Sequence, residues 1–178
     1  NNDEVISPAL TVIMDAFATE FVGAKPVFVD VDTETWNLDP NLVTQNITQK
    51  TKAIITVSWF GLPSDLESLR EIADENNLYL IDDSAETIIV PKMGDSEKGI
   101  PDLRVFSFEN NKHMTLGGEG GMVTTNNSDL AIKCRKFGGL GYKHLSAERG
   151  RTQLDARTFQ NPNYERFDTL DRKSTRLN

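Results

Sequence analysis

The sequence predicts an α/β fold: a mainly parallel sheet with helices on both faces. Three observations carry this. Strand-length apolar runs alternate with helix-length amphipathic stretches, in the order strand, helix, strand, helix, strand, helix, strand. The run Pro26-Val27-Phe28-Val29-Asp30-Val31 is nearly continuous in apolar residues, which suits a strand covered on both faces. Glycine and proline fall between the runs, at Gly23, Gly61 and Pro63. A chain of 178 residues suits one domain, or one large domain cut short.

Asp3 to Ser7 reads as a short strand closed by Pro8. Thr11 then caps a helix carrying Ile13, Ala16, Phe17 and Phe21, and Gly23 ends it. After the Pro26–Val31 strand, Asp39-Pro40 starts a second helix, with proline where its missing N–H costs nothing. Ala53 to Trp59 is the next strand. Ser64 and Glu67 have capping-box spacing ahead of the apolar stripe Leu66, Leu69, Ile72 and Ala73. Leu78 to Ile81 is a strand that ends in Asp82-Asp83. Thr87 to Pro101 has little pattern. Arg104–Phe108 and Met122–Thr125 are strands, and Asn127 or Ser128 caps a helix with Leu130, Ala131 and Cys134 inward. Beyond Gly138 the apolar pattern fades into a polar, arginine-rich excursion.

The formal net charge is −8, with no basic run, which argues against a polyanion such as nucleic acid as partner. No apolar run nears the roughly 18 residues of a membrane span. The one cysteine, Cys134, cannot make an internal disulfide, which fits a reducing, cytoplasmic setting. The chain opens in mid-pattern without Met, so it reads as a fragment.

In parallel α/β sheets, ligands collect beyond the carboxyl ends of the strands. Two predicted ends carry unusual polar residues. One has Asp82-Asp83, followed by Ser84-Ala85-Glu86. Asp83 there is either a helix N-cap or a carboxylate held for a cationic ligand atom. The pair would also suit Mg²⁺, in a non-catalytic binding module. The other end has Ser107 and then Lys112, ahead of a turn with Gly117, Gly118, Gly120 and Gly121. Lys112 is either a solvated surface charge or an amine placed for a Schiff base. His113 and Glu119 read as loop residues, and Trp36 and Trp59 as packing residues. His144, Arg149, Arg151 and Arg157 define no geometry.

Several blocks together resemble the DegT/DnrJ/StrS sugar aminotransferases, pyridoxal-phosphate enzymes of the aspartate aminotransferase fold. They are Asp3-Glu4-Val5-Ile6-Ser7-Pro8, Gly23 to Asp32, Thr51-Lys52-Ala53-Ile54-Ile55, Ile81 to Glu86, Phe106-Ser107-Phe108 with Lys112, and Gly118-Glu119-Gly120-Gly121. The likeness runs over about residues 3 to 168 and keeps the family's order.

The resemblance implies that residues 1–170 are part of a cofactor-binding large domain. It implies pyridoxal 5′-phosphate as cofactor. Lys112 falls on the lysine that binds it as an imine, Asp83 on the partner of the pyridine nitrogen, and Ser107 on a ligand of the phosphate. Glu86 falls near the ring hydroxyl, where the family usually has Gln or His. The implied reaction moves an amino group from glutamate to a nucleotide-linked keto sugar, in amino-sugar and polysaccharide biosynthesis, within a homodimer. A dehydratase on the same scaffold would carry histidine in place of Lys112. Val12 stands where the family often has an aromatic residue against the ring. The family's amino-terminal phosphate-binding segment and its small domain are expected outside these residues, so the 178 residues by themselves should bind cofactor weakly. Residues 171–178 read as a non-native or disordered tail, like translated adapter sequence.

Overall fold

A computed structural model describes residues 2–88 and 99–138. The unpatterned stretch before Pro101, the arginine cluster and the 171–178 tail fall wholly or largely outside the described residues. The described residues fall into two units, divided between Thr125 and Asn126.

The first unit holds one six-stranded sheet in the order β2-β1-β3-β4-β5-β6. Its strands are β1 (Glu4–Pro8), β2 (Lys25–Val29), β3 (Thr51–Val57), β4 (Tyr79–Asp83), β5 (Leu103–Ser107) and β6 (Gly121–Thr124). All neighbours are parallel except β5 and β6, which are antiparallel. Helices α1 (Met14–Phe21), α2 (Pro40–Asn46) and α3 (Leu66–Glu75) connect the parallel strands. The predicted fold class and element order are what the chain adopts.

Two local signals work as read. Asp39 caps α2 by accepting from the Asn41 N–H at 2.8 Å, with Pro40 in the first turn. Gly23, at φ +78°, closes α1. Its N–H bonds the Glu20 carbonyl, and the Ala24 N–H bonds that of Thr19, so both orphan carbonyls are satisfied.

Other local readings are corrected. Thr11 does not cap α1; Ile13 occupies the N-cap position, and the Thr11 hydroxyl donates to Asp15 at 2.9 Å. Only Ala16 and Thr19 of α1 are buried, while Ile13, Phe17 and Phe21 are exposed. The Ser64–Glu67 box does not form. Asp65 caps α3 through the Ser68 N–H, because the Ser64 hydroxyl is turned inward onto the Val57 carbonyl. β2 is an edge strand with Phe28 exposed, so its apolar run is not covered on both faces. β4 extends through Asp82 and Asp83 instead of stopping before them.

The sheet's two faces differ. On one, α2 and α3 close a core of Ile6, Val29, Leu38, Val43, Ile54, Leu69 and Leu80. The other holds a smaller cluster of Val5, Ala24, Ala53 and Ile55, with Ile81 against it. In the second unit, α4 (Ser128–Gly138) is capped by Asn127, whose side chain accepts from the N–H groups of Asp129 and Leu130. Leu130, Ala131 and Cys134 are partly buried.

Candidate active site

The site begins with strand parity. Side chains alternate between faces along a strand, and pairing register carries that parity across the sheet. Asp83 pairs with Val105, and Asp82 with Arg104. Ser107, two residues beyond Val105, therefore shares the face of Asp83, and Asp82 takes the opposite face. The two adjacent aspartates do different work.

Asp82 is 1% exposed, and Arg104 directly opposite it donates from Nε at 2.5 Å. The Ser84 hydroxyl adds a second bond at 2.9 Å. A buried carboxylate needs such partners to stay charged. Because Asp82 is committed to Arg104 behind the sheet, the two aspartates do not converge on one cation. Among the described residues no cluster of three His, Cys, Asp or Glu side chains suits a metal ion.

Asp83 faces the other way. Its Oδ1 accepts the Ala85 N–H at 2.8 Å, which turns the chain sharply after β4. Its Oδ2 has no hydrogen bond among the described residues, leaving an acceptor for a ligand. Burial pushes the Asp83 pKa up; the Ala85 N–H and Lys112 pull it down, while Asp82 and Glu86 add to the rise. A cation at Oδ2 would offset that desolvation.

Lys112 lies beyond β5 in a loop that Glu109 organises. The Asn111 N–H bonds the Glu109 carboxylate and the Lys112 N–H bonds the Glu109 carbonyl, both at 3.0 Å. This turn brings the Lys112 ammonium back over the strand ends, 3.8 Å from Glu86 Oε1. The other oxygen of Glu86 accepts the Phe60 N–H at 3.0 Å. Glu86 thus ties the turn after β3 to the lysine. The loop returns to β6 through Gly117, at φ +82°, and Gly121, where a Cβ would lie 3.0 Å from the Phe106 carbonyl oxygen. Ser107 Oγ accepts the Glu109 N–H at 3.4 Å, so its own proton is available to an acceptor.

Sequence reading did not single out Asp15. It sits in the first turn of α1, and burial together with the charge of Asp83 pushes its pKa up to about 6. Its neighbours in sequence, Ile13 and Met14, gave no sign that α1 turns this residue toward Asp83. Glu109 was missed because its role is a backbone turn. His113 is exposed, with its ring 3.8 Å from where a Cβ on Gly61 would lie. Val12 is exposed. Trp36 does not pack as expected; it is half exposed and meets Phe60 at 6.0 Å between ring centroids.

Residues 1–159 match the DegT/DnrJ/EryC1/StrS aminotransferase family. The chain belongs to this family. It is 44% identical over 139 residues to the GDP-perosamine synthase of Escherichia coli O157:H7, covering 78% of this chain and 38% of that protein. It is 35% identical over 147 residues to the UDP-2-acetamido-2-deoxy-3-oxo-D-glucuronate aminotransferase of Pseudomonas aeruginosa, covering 80% and 41%. Among solved structures, NtdA from Bacillus subtilis with bound cofactor PMP superposes with a TM-score of 0.74 at 29% identity, over 86% of this chain and 34% of that one. The chain therefore spans well under half the length of these relatives.

The residues brought together suit such a cofactor. An amine, a carboxylate with an open oxygen and a hydroxyl with a free proton could hold the aldehyde, ring nitrogen and phosphate of its pyridoxal form. Among the described residues no helix is long and apolar enough to cross a membrane.

Proposed function

We propose that these residues form the cofactor-binding part of a pyridoxal 5′-phosphate-dependent aminotransferase. It moves an amino group from glutamate to a nucleotide-linked keto sugar in amino-sugar biosynthesis. The observation that carries this reading is the placing of Lys112, Asp83 and Ser107 at the carboxyl ends of two adjacent strands, with Glu86 3.8 Å from the amine. The names of the relatives support the substrate class. A cytoplasmic homodimer completes the reading, supported by the family resemblance and the single cysteine.

The bound cofactor supplies an electron sink for the charge left on a substrate carbon when its proton is removed. This chain's residues do the rest. Asp83 would present Oδ2 to the ring nitrogen and keep it protonated, so that the ring could accept electrons. Ser107 would donate a hydrogen bond from its hydroxyl to the phosphate. Lys112 would hold the cofactor through its amine and, as a free amine beside the substrate carbon, would move the proton there. Glu86, 3.8 Å from the Lys112 amine, would lie near the ring hydroxyl and help to position the lysine.

Lys112 also favours amino transfer over dehydration, for which the resemblance expects histidine at that position. Two experiments test the reading. Borohydride reduction of the cofactor-loaded protein should fix the label on Lys112, and label on any other residue overturns the assignment. Glutamate and a nucleotide-linked keto sugar should yield 2-oxoglutarate, and its absence from the intact protein rules out transamination from glutamate.

A further inference from the structure

Three non-glycine residues among those described have a positive φ: Trp36 at 61°, Phe60 at 51° and Asn77 at 54°. Asn77 follows α3, where a helix end commonly takes a left-handed residue. The other two are large aromatics in a conformation that glycine or asparagine adopts more cheaply. They also touch each other, at 6.0 Å between centroids, and both are exposed: Trp36 50% and Phe60 72%. Trp59 extends the group, 4.9 Å from Phe60.

This corner is held firmly from below. Asn37, buried at 4%, donates to the carbonyls of Leu62 and Pro63 and accepts the Trp59 N–H at 3.0 Å. The Asp32 carboxylate gathers the N–H groups of Glu34 and Thr35, and the Trp36 N–H bonds the Asp32 carbonyl. The Phe60 N–H is taken by Glu86, which faces Lys112. Strained backbone persists only where its surroundings over-determine it, and such places cluster at ligand sites. Here the over-determined atoms are backbone and the exposed ones are rings.

We propose that the Trp36–Phe60 corner stacks the planar base of the substrate's nucleotide. This rests on the reading of the site given above. Glu86, 3.8 Å from the Lys112 amine, takes the Phe60 N–H, and Phe60 meets Trp36, so the corner adjoins the lysine through Glu86. An extended sugar–diphosphate–nucleoside needs a flat, rigid surface at its far end. Aromatic faces provide one, and they accept any base because every base has a π-face. Covering by another protein segment is the competing occupant, and it is an outcome of the test.

The experiment measures GDP, UDP and inorganic pyrophosphate binding to the intact, cofactor-loaded protein by calorimetry. Phe60→Gly removes the ring while relaxing the backbone, so lost affinity is not due to added strain. Trp36→Leu is the second variant. Each should weaken GDP and UDP alike, by about tenfold as expected for one stacking contact, and leave pyrophosphate affinity unchanged. GDP and UDP affinities within twofold of the parent in both variants overturn the proposal, as does a corner that acrylamide cannot reach in the unliganded protein. If Lys112 captures no cofactor, the functional reading fails on its own terms, and nucleotide binding still scores the corner.

Discussion

The two faces of the sheet teach different lessons. The face under α2 and α3 is filled with branched apolar side chains, and Ile6, Val43, Ile54, Leu69 and Leu80 are fully buried there. Its charged group, Asp82, is neutralised in place by Arg104. The opposite face has a smaller cluster, Val5, Ala24, Ala53 and Ile55, and its carboxylates are only partly compensated. Asp83 and Asp15 both have raised pKa values, chiefly from burial. Burial without full pairing costs stability and leaves groups ready for a ligand. One face is packed and paired; the other carries the carboxylates that burial perturbs.

The sharpest way to break this contrast is at Lys112. Lys112→Ala should lower turnover by more than about a thousandfold, with a urea midpoint close to that of the parent. A large stability loss would place the lysine with the structural face. Leu80→Ala should act in reverse: about 2–5 kcal/mol of stability lost in urea denaturation, with normal cofactor capture by the folded fraction. Asp83→Asn should weaken cofactor binding and reduce turnover by about a hundredfold, read from absorbance titration and steady-state rates.

The smallest expected effect is at Asp15. Its folded pKa of about 6 lies above its ordinary value of 3.8. The folded state therefore binds more protons between these values, and this group's contribution to stability falls as pH rises through that window. Asp15→Asn should remove the decline, with a gain of about 2 kcal/mol above pH 6 after allowing for partial exposure. Parallel pH–stability curves for parent and variant would detach Asp15 from the acidic face.

Much of the fold was legible because its signals are local. Gly23 ends α1 and Asp39-Pro40 starts α2 through contacts a few residues apart. Where a local signal failed, a distant partner outcompeted it. Ser64 has the spacing of a cap, but Val57, seven residues back, takes its hydroxyl and Asp65 caps instead. The apolar run at β2 reads as buried, yet sheet order puts it at an edge.

The amino acids alone determined the strand–helix alternation and a set of blocks specific enough to name a family. They also singled out Lys112, Asp83, Ser107 and Glu86. Only the tertiary structure decided which face each strand residue takes and what it meets there. It sent Asp82 to Arg104, left Asp83 Oδ2 open, brought Asp15 from α1 toward Asp83, and joined Glu86 to both Phe60 and Lys112. The reason is physical. Alternation along one strand is a property of consecutive residues, whereas the register between strands is set by packing across the whole sheet.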